Sequence, residues 1–155
     1  MILTFRVLKS GTCYVGAPIY DLEEKEFSFE PWGNTSFAVM LGAAYVSLDI
    51  AAENGIAYYV SGYSPKRLWI SQRLSTPDST KGQLQITSDT AFQRGMGTYY
   101  TQGWQTFFDT STGWICMGDR NEKKDCEVVE FGTNTLAVVK NGELKAVWVK
   151  PVFAE

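Results

Sequence analysis

The chain contains no histidine at any of its 155 positions. Histidine is the commonest general base and the commonest metal ligand in proteins. Its absence excludes Ser-His-Asp and Cys-His catalytic arrangements and every imidazole metal site. Walker, EF-hand and Ser-x-x-Lys motifs are missing as well. The absence of these residues and motifs favours a non-catalytic protein, and we expect it to hold no metal ion and no cofactor.

Cysteine is scarce, with three residues at Cys13, Cys116 and Cys126. An odd number without a C-x-x-C pair is a poor disulfide framework, which favours a reducing compartment. Cys116 and Cys126 flank a polar loop, so one bridge between them stays open as an alternative. Residues 1–9 lack the pattern of a secretion signal, and no apolar run reaches the roughly 18 residues of a membrane span. We therefore expect a cytoplasmic protein without a membrane segment.

Clusters of positive charge are also missing from the sequence. The chain has 14 Lys and Arg against 17 Asp and Glu, a net charge of −3, and its pI is about 5.0. Basic residues occur singly or in pairs such as Lys66-Arg67 and Lys123-Lys124. A nucleic-acid binder needs concentrated positive charge to displace counterions from phosphates. We therefore expect no direct binding of nucleic acid, and the acidic balance favours basic partners.

Aromatic residues, by contrast, are abundant at 14% of the chain, and such rings suit pleated, half-buried surfaces. The length favours one domain that spans residues 1–155. The clearest element is a hairpin around Asn141-Gly142, because a type I′ turn needs positive φ at both central residues. Its strands would be residues 135–140 and 143–150. The expected cross-strand pairs are Lys140 with Glu143, Val139 with Leu144, Ala137 with Ala146, and Thr135 with Trp148.

Two more hairpins are predicted, one turning at residues 51–55 and one at residues 109–113. Turn signals about every 10 residues favour an all-β fold, an antiparallel sandwich or barrel, with room for one short helix. Residues 35–44 fit either that helix or a buried strand, and residues 65–70 fit a strand better than a helical turn. Further strands are expected at residues 3–8, 26–29, 68–73, 83–87 and 127–131.

The most biased segment is residues 21–30, which carries five acidic residues against one lysine. As a strand it would bury Phe27 and Phe29 and display Glu26, Ser28 and Glu30. An acidic face with an aromatic rim suits a basic protein partner, because charge steers the encounter and the ring anchors it. The alternative is a solubilising edge that prevents strand-to-strand aggregation. The predicted partner-binding residues are Asp21, Glu23, Glu24, Glu26, Glu30 and Trp32.

Two other functions fit parts of the sequence. Residues 95–104 form a glycine- and aromatic-rich segment, typical of a ligand rim, which suggests a small-ligand or carbohydrate-binding sandwich or barrel. A hydrolase without histidine would need only two suitably spaced carboxylates. Its candidates are the acids of residues 21–30 and the pair Asp109 and Asp119, which flank the third hairpin.

The chain carries Asn-Gly-Glu-Leu-Lys-Ala-Val-Trp-Val-Lys-Pro at residues 141–151. With this ending, its acidic character and its lack of a catalytic set, it resembles the small cytoplasmic immunity proteins of bacterial polymorphic-toxin and contact-dependent growth inhibition systems. The resemblance implies a protein that binds one cognate toxin tightly and blocks its active site. Many such toxins are basic nucleases, which an acidic inhibitor would suit. The resemblance assigns no binding residue.

Overall fold

The computed structural model describes residues 1–121 and 124–155. Lys123, one half of the Lys123-Lys124 pair, lies outside them. The described residues form sixteen strands and one 3₁₀ turn, Lys66–Leu68, and contain no α-helix. The strands are β1 Leu3–Leu8, β2 Ala17–Asp21, β3 Glu26–Glu30, β4 Phe37–Met40, β5 Tyr45–Ile50, β6 Ala57–Tyr63, β7 Ile70–Ser71, β8 Thr80–Lys81, β9 Gln83–Ser88, β10 Met96–Tyr99, β11 Thr106–Phe108, β12 Ile115–Gly118, β13 Glu127–Gly132, β14 Thr135–Lys140, β15 Glu143–Val149 and β16 Val152–Ala154.

Two seven-stranded sheets form a sandwich-like arrangement, which confirms the all-β prediction. Of the two predicted alternatives, the structure is the sandwich and not a closed barrel. Sheet I has the order β10-β4-β5-β6-β3-β2-β16, and sheet II has the order β7-β11-β12-β15-β14-β13-β8. Their shared core takes alternate residues from facing strands, such as Val46, Leu48 and Ile50 of β5 and Val147 and Val149 of β15. In the described residues, no helix is long and apolar enough to cross a membrane.

The third sheet is a two-stranded antiparallel ribbon of β1 and β9. The Phe5 amide of β1 donates to the Gly142 carbonyl at 2.9 Å, and the Ile86 amide of β9 donates to the Gly55 carbonyl at 2.8 Å. The ribbon is therefore hydrogen-bonded to a hairpin turn of each large sheet. Phe5 and Ile86 also enter the shared core, so the ribbon joins the two layers.

All three predicted hairpins are present. The register of the hairpin around Asn141-Gly142, β14 with β15, differs from expectation. Lys140 pairs with Glu143 and Val139 with Leu144 as predicted, and a bulge then shifts the strands so that Leu136 pairs with Trp148. The expected pairs Ala137 with Ala146 and Thr135 with Trp148 are wrong. A bulge adds one residue to one strand and reverses which face its later side chains occupy.

The bulge places Trp148 on the outer face of sheet II, where it is 1% exposed. It joins a second apolar cluster with Cys116, Leu136, Val138 and Ala146, which half-buried side chains such as Leu74 and Trp114 cover. Strands β14 and β15 are thus buried on both faces. Beyond the bulge, residues 136–138 and 146–149 are apolar throughout, so their sequence does not indicate which side chains occupy which face.

Other differences concern short elements. Residues 37–40 form strand β4, which resolves the choice between helix and strand. Pro65 precedes a 3₁₀ turn, so the preference for a strand over residues 65–70 is wrong, and of residues 68–73 just Ile70–Ser71 pair as a strand. Strands β2, β8, β10 and β16 were not predicted. The edge strands β7, β8, β10 and β16 pair in parallel with their neighbours, so the sheets are mixed rather than purely antiparallel.

Candidate partner-binding face

The acidic segment folds into a hairpin rather than a single strand. Asp21 ends β2, and its carboxylate accepts hydrogen bonds from the amides of Glu23 and Glu24 at 2.9 and 2.8 Å. Lys25 completes the turn with a φ of 59°. The carboxylate therefore stabilises the tight turn that returns the chain into β3.

The predicted alternation along β3 is confirmed. Phe27 and Phe29 are 2% and 1% exposed, whereas Glu26 and Glu30 are exposed. The burial of the two rings follows from the period of two along a strand, which sends alternate side chains to opposite faces. The outer face of sheet I therefore displays the acids of β3.

A row of side chains crosses this outer face from β5 to β2. Tyr45 pairs with Tyr63, Tyr63 pairs with Glu26, and Glu26 pairs with Asp21. The Tyr45 and Tyr63 rings lie 6.2 Å apart between centroids, and Tyr45 is 69% exposed. Two adjacent tyrosines thus lie beside two carboxylates on one strip of the sheet.

A second row centres on Asp49. Its carboxylate accepts hydrogen bonds from the hydroxyls of Ser47, at 2.6 Å, and Ser61. Burial raises the pKa of the Asp49 carboxyl above its ordinary value, and the two serine hydrogen bonds oppose that shift. The Asp49 carboxylate is thus held in one orientation on the face.

Trp32 lies beside this row on a short loop that is fastened at both sides. The Gly33 amide donates to the Tyr59 hydroxyl at 3.1 Å, and the Tyr14 hydroxyl donates to the Pro31 carbonyl at 2.9 Å. The Trp32 side chain itself is 83% exposed. An anchored backbone therefore presents a large apolar ring to solvent, the arrangement expected of a binding anchor.

These rows border a groove of about 500 Å³ on the outer face, which we call the Asp49 groove. The side chains that line it include Glu26, Ser28, Trp32, Asp49, Tyr59 and Ser61.

The charged residues on the strands of sheet I all have one sign. The seven strands of sheet I contain four acidic residues, Asp21, Glu26, Glu30 and Asp49, and no lysine or arginine. With so little compensating charge on its own strands, the sheet presents a negative potential to an approaching molecule.

The structure brings together part of the predicted set. Glu26 and Trp32 line the Asp49 groove, and Asp21 lies beside Glu26. Glu23 and Glu24 lie in the β2–β3 turn and Glu30 at the end of β3, and none of the three lines the groove.

Sequence reasoning missed three prominent members of the face, Tyr45, Asp49 and Tyr63. A signal for Tyr45 and Asp49 was present. Residues 45–50 alternate polar and apolar side chains within a predicted hairpin, which places Tyr45, Ser47 and Asp49 on one face.

The two carboxylates at the third hairpin that were considered for hydrolysis, Asp109 and Asp119, accept hydrogen bonds from the backbone. Asp109 is 4% exposed and accepts hydrogen bonds from the amides of Leu74 and Ser111. These bonds, the Leu74 amide first, lower the pKa of the Asp109 carboxyl. Asp119 is exposed, and it accepts a hydrogen bond from the amide of Asn121 at 3.0 Å. Both carboxylates thus stabilise turns.

Comparison with models of protein families and with curated proteins finds no match to this chain.

Proposed function

We propose that this protein is a non-catalytic inhibitor of the immunity type, which binds a basic, nuclease-like toxin through the outer face of sheet I. The observation that carries the proposal is the composition of that face. Exposed Trp32 and Tyr45 lie among acidic side chains, and the strands beneath them carry no cation. Aromatic anchors within a rim of one charge are typical of protein interfaces with fast association.

The proposal names a basic partner because of charge complementarity. Enzymes that cleave nucleic acids need cationic surfaces to hold phosphates. An acidic protein face competes for the same cations, and the ordered carboxylate of Asp49 would occupy a position that a phosphate otherwise takes. Inhibition then follows from covering the partner's active site, which requires no chemistry from this chain. We propose a cytoplasmic location, where such a partner would meet its nucleic-acid substrate.

The experiment that tests the proposal begins with tagged protein and a lysate of the native cell. Bound proteins are eluted with rising salt and identified by mass spectrometry. We expect one stoichiometric basic protein that elutes late, and we expect the purified protein to abolish that partner's nuclease activity at a one-to-one ratio. Capture of no stoichiometric basic protein in repeated trials would overturn the proposal.

A matched pair of charge reversals then locates the interface. Glu26 and Glu127 are both exposed first residues of strands, β3 in sheet I and β13 in sheet II. We expect Glu26→Lys to weaken partner binding about tenfold or more and to flatten its salt dependence. Glu127→Lys makes the same change of charge and should leave the affinity nearly unchanged. Equal losses in both variants would remove the outer face of sheet I from the interface.

A further inference from the structure

A second cleft lies away from the Asp49 groove. It has a volume of about 620 Å³ and forms where residues 100–107, the end of β12 and the start of β15 meet. The Asp49 groove and this cleft have no lining residue in common. Four residues of the glycine- and aromatic-rich segment, Tyr100, Thr101, Gly103 and Trp104, line the cleft, whereas residues 96–99 form strand β10.

Two aromatic side chains of the cleft are held in place by the protein itself. The Tyr100 hydroxyl accepts a hydrogen bond from the Leu144 amide at 3.0 Å and donates one to the Leu144 carbonyl at 3.1 Å. The Tyr100 and Trp104 rings lie 6.3 Å apart at an interplanar angle of 87°. Both half-buried rings therefore keep their orientation without a ligand, which lowers the entropy lost on binding.

Gly118 allows Trp104 to lie close to the sheet. A Cβ at this position would lie 3.2 Å from the Trp104 ring and 2.7 Å from the Lys145 carbonyl oxygen. Because Gly118 has a φ of 105°, which other residues rarely adopt, the position is suited to glycine in two ways. The indole ring consequently lies close to Gly118, and it lines the cleft.

Arg120 supplies hydrogen-bond donors to the cleft. Its guanidinium lies over the Phe107 ring, 4.1 Å from the centroid. The structure places no hydrogen bond or ion pair on this guanidinium within residues 1–121 and 124–155. The cation–π contact holds the guanidinium against the ring, and its N–H groups are the donors that Arg120 brings to the cleft.

The remaining polar side chains of the cleft combine donors with acceptors. Lys145 and Glu143 form an ion pair at 3.1 Å, and Asp119 and Gln105 line the cleft close to Arg120. The charged lining residues are two acids and two bases, so their formal charges cancel. A cleft with balanced charge gives no net attraction to a charged ligand, whereas its alternating donors and acceptors match hydroxyl groups, which do both.

We propose that this cleft binds a neutral carbohydrate, a mono- or disaccharide, whose apolar ring face packs on Trp104. The hydroxyl groups would donate to Asp119 and Glu143 and accept from Arg120 and Gln105. The volume falls within the range of roughly 300–1,000 Å³ that is usual for small-molecule sites. The proposal does not rest on the proposed function, because the two surfaces share no residues.

The test is saturation-transfer NMR of the full chain with a panel of neutral sugars, namely glucose, galactose, mannose, N-acetylglucosamine and their β-linked disaccharides. Glucuronate is included as a charged comparison. We expect saturation of at least one neutral sugar and a weaker response from glucuronate. A titration of ¹⁵N-labelled protein with the responding sugar should shift the amides of residues 100–105 and 118–120.

Variants tie the response to the cleft. We expect Trp104→Ala and Arg120→Ala each to weaken binding about tenfold or more. Tyr99→Ala removes a neighbouring aromatic ring that is 71% exposed and does not line the cleft, so it should bind as the unaltered protein does. Melting curves confirm that each variant folds, and the amide shifts of the unaltered protein remain decisive if one does not. The proposal is overturned if no neutral sugar responds, if glucuronate binds better, or if the shifts lie elsewhere.

Discussion

The Ser47 hydroxyl donates a hydrogen bond to Oδ1 of Asp49 at 2.6 Å, on the outer face of sheet I. Burial nevertheless raises the pKa of the Asp49 carboxyl above its ordinary value of 3.8. The folded state therefore binds this proton more tightly than the unfolded state does. It follows that the contribution of Asp49 to stability is greatest below pH 3.8 and falls as the pH rises through the raised pKa.

The first prediction concerns Asp49→Asn, which removes the ionisation and keeps the shape. We expect this variant to gain stability relative to the unaltered protein as the pH rises from about 4 to 7. Urea unfolding of both proteins across that range measures the difference. Asp89→Asn is the control with the opposite sign, because a hydrogen bond from the Ile2 amide lowers the pKa of the Asp89 carboxyl. The unaltered protein gains stability over this variant as the pH rises from the lowered pKa through the ordinary value of 3.8, so the unfolding series of this control extends below pH 3.8. The prediction would be contradicted if the free energy of unfolding of Asp49→Asn and of the unaltered protein changed equally with pH.

The second prediction concerns the close approach of the β5–β6 turn to the ribbon. Gly55 and Gly95 have similar φ values, 72° and 78°. A Cβ at Gly55 would collide with the Ile86 carbonyl oxygen, whereas a Cβ at Gly95 has nothing within 4 Å. We expect Gly95→Ala to cost about 1 kcal/mol from backbone strain alone, and Gly55→Ala to cost about 3 kcal/mol or more. Equal losses in chemical denaturation would show that the turn moves freely from the ribbon.

The third prediction contrasts two tryptophans. Trp148 is 1% exposed in the cluster outside sheet II, and Trp32 is 83% exposed on sheet I. We expect Trp148→Ala to destabilise the fold by about 3–5 kcal/mol, because it leaves a cavity between β15 and the half-buried side chains that pack on its outer face. Trp32→Ala should change the free energy of unfolding by about 0.5 kcal/mol or less. A large loss in Trp32→Ala would mean that this side chain serves the fold rather than a partner.

The fourth prediction concerns the thiols. None of the three cysteines is in a disulfide, so the alternative of a Cys116–Cys126 bridge is wrong. Burial raises the pKa of the Cys116 thiol strongly, and it also raises the pKa of the Cys13 thiol. Because the thiolate is the reactive form, we expect a thiol reagent to modify half-buried Cys126 first and Cys116 last.

Mass spectrometry of the labelled protein checks this order. In guanidinium without a reductant, all three thiols should react, and Cys126→Ser should leave a native protein that labels slowly. Rapid native labelling of Cys116 would contradict the burial, and a single reactive thiol after unfolding would indicate a disulfide.

The sequence by itself determined the local parts of the fold. Asn141-Gly142 specified a hairpin because positive φ at both positions is open to these two residues, which adopt φ values of 53° and 78°. Alternation along residues 26–30 specified which side chains of β3 are buried, because a strand has a period of two. These signals depend on neighbours in the chain, so they needed no knowledge of the other sheet.

Only the tertiary structure decided which distant residues meet. The bulge that moves Trp148 to the outer face has Lys145 as its extra residue. Beyond it residues 136–138 and 146–149 are apolar throughout, so either register buries similar side chains there and packing selects between them. The edge strands are two to four residues long and pair with partners far along the chain. Their own residues carry too little pattern to specify a partner.

In the candidate site, too, the sequence determined some features and the tertiary structure decided the others. The acidity of residues 21–30 was visible in the sequence, and so was the alternation that places Asp49 on the outer face. That Trp32, Glu26 and Asp49 border one groove follows from the pairing of β3 with β6 and of β6 with β5. The β5–β6 pairing is a hairpin that the sequence predicted, whereas the β3–β6 pairing joins Glu26 with Tyr63 and Phe27 with Gly62, which are far apart in the chain. The free energy of that second pairing comes from the closed core, not from any local preference.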